Sequence, residues 1–204
     1  MRFSSRVDVG TTNPVSAAEA AAHAAGRKVV RLSDSNPTRH GLAPAALPDP
    51  YDPDPRGPRR AREQLASFLS ATQGRAVDAD DLYLLSSTSQ AYSWLLKLFC
   101  DPGDAVLSPT PGYPLIESIA RLEGVTALTY PLHRYGRWDM DTADVEEQLD
   151  DADGSPVRAV IVINPNNPTG SYVTADDYAR LVGICRSRGL PLIADEVFFD
   201  HELA

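Results

Sequence analysis

The sequence predicts an α/β protein with a mostly parallel sheet and helices on both faces. Two apolar runs, Ala159–Ile163 and Leu190–Ala194, flank an amphipathic segment at Thr174–Arg188. Apolar runs separated by one helical segment are typical of a βαβ unit in a buried parallel sheet. Between residues 82 and 150, strand-like and helix-like segments alternate in the same way. Repeated alternation of this kind predicts parallel strands with helices packed on both faces of the sheet.

The first part of the chain combines helix-forming segments with a proline-rich stretch. Val15–Ala25 is rich in alanine and is predicted to be a helix, and Val29–Leu32 a short strand. Leu42–Pro58 is crowded with proline, which cannot donate a backbone hydrogen bond or continue a helix, so an extended linker is expected. Arg59–Thr72 has apolar residues at helical spacing and is predicted to be an amphipathic helix.

The middle of the chain supplies the other predicted elements. Strands are predicted at Leu82–Leu85, Ala105–Leu107 and Val125–Tyr130, and helices at Ser89–Phe99, within Pro111–Glu123 and at Thr142–Asp150. Gly124 is expected to end the second of these helices, because glycine is favoured just past a helix C-terminus. His133–Asp139 is predicted to be a polar loop.

Composition and charge argue against several classes of protein. The chain has 204 residues, of which 23% are charged and 43% hydrophobic, and its formal net charge is −9. This negative balance argues against a nucleic-acid surface, and no apolar run is long enough to span a bilayer. Met1–Gly10 lacks the apolar core of a secretory signal. We therefore expect a cytoplasmic protein that binds neither nucleic acid nor a membrane.

Ser86–Ala91 joins the end of a predicted strand to the start of a predicted helix. Backbone N–H groups, hydroxyls and the positive end of the helix dipole meet there, and together they favour an anion such as phosphate. A Ser or Thr that only caps the helix would give the same pattern. The chain lacks a Walker lysine motif and a G-x-G-x-x-G spacing, so neither a P-loop nor a dinucleotide fingerprint is supported.

Polar side chains also follow other predicted strands, at the edge where ligands bind in an open α/β sheet. The stretch Asn164–Gly170 is compatible with a turn, although three amides at the mouth of a buried strand favour a donor to a ligand oxygen. Asp195 is expected to accept from nearby N–H groups or to pair with a cation, such as a protonated heterocycle. Tyr113 is expected either to pack in the core or to stack on a flat ligand.

These motifs together resemble one family. Asn-Pro-Asn-Asn-Pro-Thr-Gly at Asn164–Gly170, followed by Ala194–Val197, resembles the class I/II aminotransferases, the pyridoxal-phosphate enzymes of fold type I. Pro102–Pro114 and Tyr51–Gly57 match the same family. The motifs run in the family's order across roughly three quarters of the chain, so coincidence is a poor explanation.

The resemblance implies a role for each candidate site residue. Asp195 would pair with the pyridine nitrogen and keep it protonated, Asn167 would donate to the phenolic oxygen, and Tyr113 would stack on the ring. Ser87, Thr88 and Ser89 would hold the phosphate at the helix start. Tyr51 would reach the phosphate of the partner subunit, because the family builds each site across a homodimer.

The resemblance also implies a domain division and two departures from the family pattern. It implies an N-terminal arm and small-domain segment at residues 1–50 and a cofactor-binding large domain at residues 51–204. The family's usual tyrosine three residues after the aspartate is replaced by Phe198, which cannot donate a hydrogen bond. The lysine that would form an aldimine with the cofactor is expected downstream of Ala204, since Lys28 and Lys97 lie in the wrong sequence context. The chain is thus expected to be the front part of such an enzyme.

The function that this resemblance implies is transfer of an amino group between an amino acid and a 2-oxo acid, with pyridoxal 5′-phosphate as cofactor. Two alternatives remain open at this point. One keeps the cofactor and changes the reaction to that of a C–S lyase or a decarboxylase. The other is a non-catalytic remnant that binds a phosphate-bearing ligand or a partner chain.

Overall fold

A computed structural model describes residues 6, 13–30, 41–42, 53–151 and 154–200. The predicted site residue Tyr51 and much of the predicted linker lie outside these residues. The expected boundary between residues 50 and 51 also lies outside them and stays a prediction. The chain forms two compact units, one within Asp8–Leu84 and a larger one that includes Leu85–Ala204. No helix in the described ranges is long and apolar enough to span a bilayer.

A five-stranded sheet organises the larger unit, and its strand order is β3-β2-β1-β4-β5. The strands are β1 (Ala105–Thr110), β2 (Thr126–Tyr135), β3 (Arg137–Met140), β4 (Val157–Ile163) and β5 (Leu192–Asp195). β1 pairs in parallel with both β2 and β4, and β4 pairs in parallel with β5. Only the pairing of β2 with β3 is antiparallel. The predicted mostly parallel sheet is therefore confirmed.

Helices cover both faces of this sheet, as predicted. They are α3 (Thr88–Phe99), α4 (Leu115–Glu123), α5 (Thr142–Asp150) and α6 (Ala175–Arg188). One core cluster joins Tyr92 and Ile116, from α3 and α4, to alternate strand residues such as Ile161. The other joins residues of α5 and α6, such as Val145 and Leu181, to the residues of the strands that point the opposite way. The two-residue period of a strand thus divides the core into two layers.

The smaller unit contains α1 (Pro14–Ala24), α2 (Arg59–Gln73) and a 3-10 turn at Ala79–Asp81. The strand predicted at Leu82–Leu85 is wrong. Leu82 has extended backbone angles, but the N–H of Leu84 donates to the carbonyl of Arg56 in a loop at 2.8 Å. The segment therefore pairs with no strand among the described residues. Of the predicted strand Val29–Leu32, only residues 29 and 30 are described, and they are not in a strand.

The polar loop predicted at His133–Asp139 is also wrong. These residues form the end of β2 and most of β3, which pair from Leu132–Met140 to Tyr135–Arg137 around Gly136. Gly136 has a φ of +88°, which glycine adopts without steric cost and which makes the tight reversal possible. The ring of His133 stacks on that of Tyr135, because residues two apart lie on one face of a strand.

Candidate functional site

The strand order creates a switch point between β1 and β4, where the connections leave the sheet in opposite directions. Ligands of open α/β sheets bind beside the carboxyl ends of the strands at such a point. Three predicted site residues follow strands at this edge: Tyr113 after β1, Asn167 after β4, and Asp195 as the last residue of β5. In the strand register Ile163 lies opposite Asp195, and the N–H of Asn164 donates to the Asp195 carbonyl at 2.8 Å.

Asp195 is a buried carboxylate with one donor on each oxygen. Its side chain is 8% exposed. The hydroxyl of Tyr92 donates to Oδ2 at 2.7 Å, and the N–H of Val197 donates to Oδ1 at 3.1 Å. No Arg, Lys or His side chain of the described residues forms an ion pair with it. An unpaired buried charge is unfavourable, so the position suits a cationic ligand group.

Burial, and then the charge of Asp195, raise the pKa of the Tyr92 phenol. Tyr92 therefore stays protonated and acts as the donor in its bond to Asp195. Tyr113 is half-buried and packs against the core cluster that contains Tyr92. The packing role considered for Tyr113 is thus present, and a stacking role stays a prediction.

The N-terminus of α3 carries the predicted anion site. Ser87 caps the helix: its hydroxyl accepts from the N–H of Gln90 at 3.2 Å. The side chain of Gln90 accepts in turn from the N–H and the hydroxyl of Ser86. Helix geometry leaves the N–H groups of Thr88 and Ser89 without an intrahelical acceptor. The capping role of Ser87 is therefore real, and the first turn still presents donors to an anion.

The three asparagines of the loop after β4 differ in the hydrogen bonds of their side chains. Asn164 accepts from the N–H of Val173 at 3.0 Å through its side chain. Asn166 is 5% exposed and donates to the carbonyl of Pro111 at 3.1 Å and to Thr169 at 2.9 Å. It therefore ties the loop after β4 to the loop after β1 across the switch point. Asn167 is half-buried, and its side chain makes no hydrogen bond to any other described residue. Asn167 thus keeps its whole side-chain amide available to a ligand, whereas Asn164 keeps only its amide N–H groups.

A cavity of about 290 Å³ lies between the N-terminal half of α3 and the end of β5. Its lining includes Thr88, Tyr92, Asp195 and Val197. Its size is near the lower end of the range of about 300–1,000 Å³ that is typical of small-molecule sites. The structure therefore brings Thr88 and Asp195 to one cavity. Ser87, the N-cap, and Ser89 flank Thr88 at the start of α3, whereas Tyr113 and Asn167 do not line the cavity.

Tyr92 is the residue that the sequence interpretation missed. The residues Ser89–Phe99 predicted a helix, but they predicted no polar role for any side chain on its buried face. A signal was present, since a tyrosine on the buried face of a helix needs a hydrogen-bond partner for its hydroxyl. The identity of that partner depends on the fold, because 103 sequence positions separate Tyr92 from Asp195.

The chain is similar to known proteins that share one family description. Residues 52–203 match the family described as aminotransferase class I and II. The chain is 34% identical over 149 residues to alanine aminotransferase 2 of Panicum miliaceum, which covers 72% of this chain and 31% of that protein. It is 32% identical over 197 residues to alanine aminotransferase of Mycobacterium bovis, which covers 91% of this chain and 45% of that protein.

The fold is also that of a solved aminotransferase. A crystal structure of an aminotransferase from Escherichia coli superposes with a TM-score of 0.78 at 25% identity, over 96% of this chain and 51% of that one. The chain thus spans less than half the length of the two named relatives. The strands and helices that hold the candidate site lie within the matched part.

Proposed function

Because the chain belongs to the aminotransferase class I and II family, we propose that it forms the pyridoxal 5′-phosphate-binding part of an aminotransferase. The reaction is the exchange of an amino group between an amino acid and a 2-oxo acid. The names of the relatives favour alanine as the amino acid. The observation that carries the proposal is the buried carboxylate of Asp195 on the wall of a cavity that also reaches the N-terminus of α3.

The residues present suit this cofactor at both of its charged ends. Asp195 lacks a cationic partner within the described chain. Its carboxylate would therefore accept a hydrogen bond from a protonated ring nitrogen and keep the proton on that nitrogen. The open N–H groups of Thr88 and Ser89, with the hydroxyls of Ser87 to Ser89, suit a phosphate at the positive end of α3. Pyridoxal phosphate, when bound, supplies an electron-withdrawing ring for the chemistry at the substrate carbon.

The two other predicted residues orient the ring in this proposal. Asn167 offers an amide donor to the ring's phenolic oxygen, whereas the amide N–H groups of Asn166 are engaged by Pro111 and Thr169. Tyr113, which packs against the core cluster, would stack its aromatic ring on that of the cofactor. We further infer a homodimer in which Tyr51 reaches the partner subunit's phosphate, and sedimentation velocity at micromolar concentration tests that assembly.

Binding of two ligands that differ only in the phosphate tests the proposal. Pyridoxal 5′-phosphate and pyridoxal are titrated separately, and the quenching of protein fluorescence is followed. We expect saturable binding of the phosphorylated form at an affinity at least about tenfold higher, because each charged hydrogen bond is worth about 1.5–3 kcal/mol. A spectrophotometric assay with alanine and a 2-oxo acid then follows turnover by the holoenzyme. Equal affinities for the two ligands, or no saturable binding, would contradict the proposal.

A further inference from the structure

We propose that Tyr92 is a positioning residue for Asp195, holding the carboxylate so that its remaining acceptor sites face the cavity. The inference rests on the proposed function, because it concerns how Asp195 holds the ring nitrogen. The hydroxyl of Tyr92 donates to Oδ2 of Asp195 at 2.7 Å, so α3 directly restrains a side chain of β5. Tyr92 and Asp195 both line the cavity.

The restraint is specific to the orientation of the carboxylate. The terminal torsion of an aspartate has a broad energy profile, so the carboxylate rotates unless its oxygens are held. Tyr92 holds Oδ2, and the N–H of Val197 holds Oδ1 at 3.1 Å. An ionised carboxylate has about four lone-pair sites, so about two remain for a ligand. With either donor lost, the carboxylate would present these sites over a wider range of angles.

Tyr92 is itself fixed firmly enough to act as this restraint. Its side chain is 3% exposed and packs in the core cluster with Leu96 and Ile116. Its raised pKa keeps the phenol protonated, so the bond to Asp195 has the same direction throughout the physiological pH range. A buried aromatic ring is positioned by its neighbours, and its hydroxyl is therefore held at one point of the cavity wall.

Helical spacing connects Tyr92 with the proposed phosphate end of the site. Thr88 and Tyr92 are four residues apart, so they lie on the same face of α3. Both line the cavity. The start of α3 thus presents open N–H donors, and the hydroxyl that restrains Asp195 follows one turn later on the face that carries the Thr88 side chain. A small rotation of α3 would change both ends of the site together.

Tyr130 is the matched control for Tyr92. It is 1% exposed, and its hydroxyl donates to a buried acceptor, the carbonyl of Ile161, at 3.0 Å. Its ring packs in the core cluster on the opposite face of the sheet from that of Tyr92. Tyr92→Phe and Tyr130→Phe therefore remove the same atom from equally buried sites. Only the first change removes a hydrogen bond to Asp195.

The experiment measures the preference of the protein for a ring nitrogen. Dissociation constants are determined for pyridoxal 5′-phosphate and for its 1-deaza analogue, in which carbon replaces the ring nitrogen. Their ratio isolates the contribution of the nitrogen, and the fraction of folded protein cancels from it. We expect Tyr92→Phe to lower the preference for the nitrogen about tenfold, the effect of weakening one hydrogen bond to a charged group. Tyr130→Phe is expected to leave the ratio unchanged.

The outcomes separate this inference from the proposed function. A wild-type ratio of one would overturn both, because Asp195 would not recognise the ring nitrogen. A high wild-type ratio that Asp195→Ala abolishes but Tyr92→Phe leaves intact would overturn only the role of Tyr92. Equal losses in Tyr92→Phe and Tyr130→Phe would also overturn it, since general loosening would then explain both. Tyr92→Met, which fills similar space without a donor, replaces Tyr92→Phe if that variant does not fold.

Discussion

Arg62 and Asp195 are both buried charged residues, each in its own compact unit, and they differ in what surrounds them. Arg62 is 3% exposed and donates to the carbonyls of Gly57 and Ala79 and to the carboxylate of Asp54. Asp195 is 8% exposed and lies beside a cavity, and the donors to its carboxylate among the described residues are all uncharged. When a buried charge has its counter-charge within the chain, removing one partner destabilises the fold, whereas a buried charge that lacks such a partner suits a ligand of opposite charge.

The largest expected effect is that of Asp195→Asn on turnover. In the holoenzyme we expect a loss on the order of a hundredfold or more in rate, because the ring nitrogen would lose its anionic partner. The free energy of unfolding should change by only about 1 kcal/mol, since asparagine still accepts one of the two hydrogen bonds. Steady-state kinetics and urea unfolding measure the two quantities. Retained turnover together with a large loss of stability would make Asp195 a structural residue like Arg62.

Arg62→Met is expected to have the opposite effect, a large loss of stability with little change in turnover. It should lower the free energy of unfolding by about 3 kcal/mol, because the buried carbonyl of Ala79 and the carboxylate of Asp54 would lose their donor. Urea unfolding followed by circular dichroism measures this change. Arg59→Met is the matched control on the same helix, since Arg59 makes exposed ion pairs with Glu63 and Asp80. A surface pair contributes little, so equal effects of the two substitutions would contradict the structural role of Arg62.

A substitution at Gly57 tests how closely its loop packs, the loop whose Gly57 carbonyl accepts a hydrogen bond from Arg62. Gly57 has a φ of +89°, and an added Cβ would lie 2.6 Å from Cβ of Leu84. Gly74 has a similar φ of +65° with open space around it. We expect Gly74→Ala to cost about 1–2 kcal/mol of backbone strain, and Gly57→Ala about 3 kcal/mol because overpacking is added. Thermal unfolding compares the two, and equal losses would argue against close packing of this loop on Leu84.

The smallest expected effect is a pH dependence at Asp54. The N–H of Arg56, and then the side chain of Arg62, lower the pKa of the Asp54 carboxyl in the folded state. Its stabilising contribution is thus present above the unfolded-state pKa of about 3.9 and is lost as the pH falls towards the folded-state value. Asp54→Asn should therefore make the free energy of unfolding fall less steeply as the pH is lowered. Urea unfolding at several acid pH values measures this fall, and an equal fall in the two proteins would contradict the contribution of Asp54.

The patterns that depend on local sequence predicted most of the fold. The apolar runs and helical periodicity placed β4, α5 and α6 within two residues of their observed bounds. The prediction of a strand at Leu82–Leu85 was wrong because an extended apolar segment becomes a strand only when another strand pairs with it. The prediction of a loop at His133–Asp139 was wrong because polar residues do not distinguish an exposed hairpin from a loop.

The candidate site was predictable in part for a similar reason. Asp195, the asparagines of Asn164–Gly170 and Ser87 to Ser89 were candidates because each follows a strand or begins a helix, and the family resemblance then singled out Asn167. Tyr92 was missed because its role depends on a contact between α3 and β5. The fixed place of Asn166 between two loops likewise became visible only with the bond to Pro111.

The protonation state of the ring nitrogen is the most direct test of the central claim, that Asp195 holds a cationic heterocycle. Pyridoxal 5′-phosphate labelled with ¹⁵N in the ring is bound to the protein, and its nitrogen chemical shift is recorded across neutral pH. We predict the shift of a protonated pyridine in the wild-type protein, and that of a neutral pyridine in Asp195→Ala. A neutral ring nitrogen in the wild-type complex, or a protonated one that is unaffected by Asp195→Ala, would contradict the account.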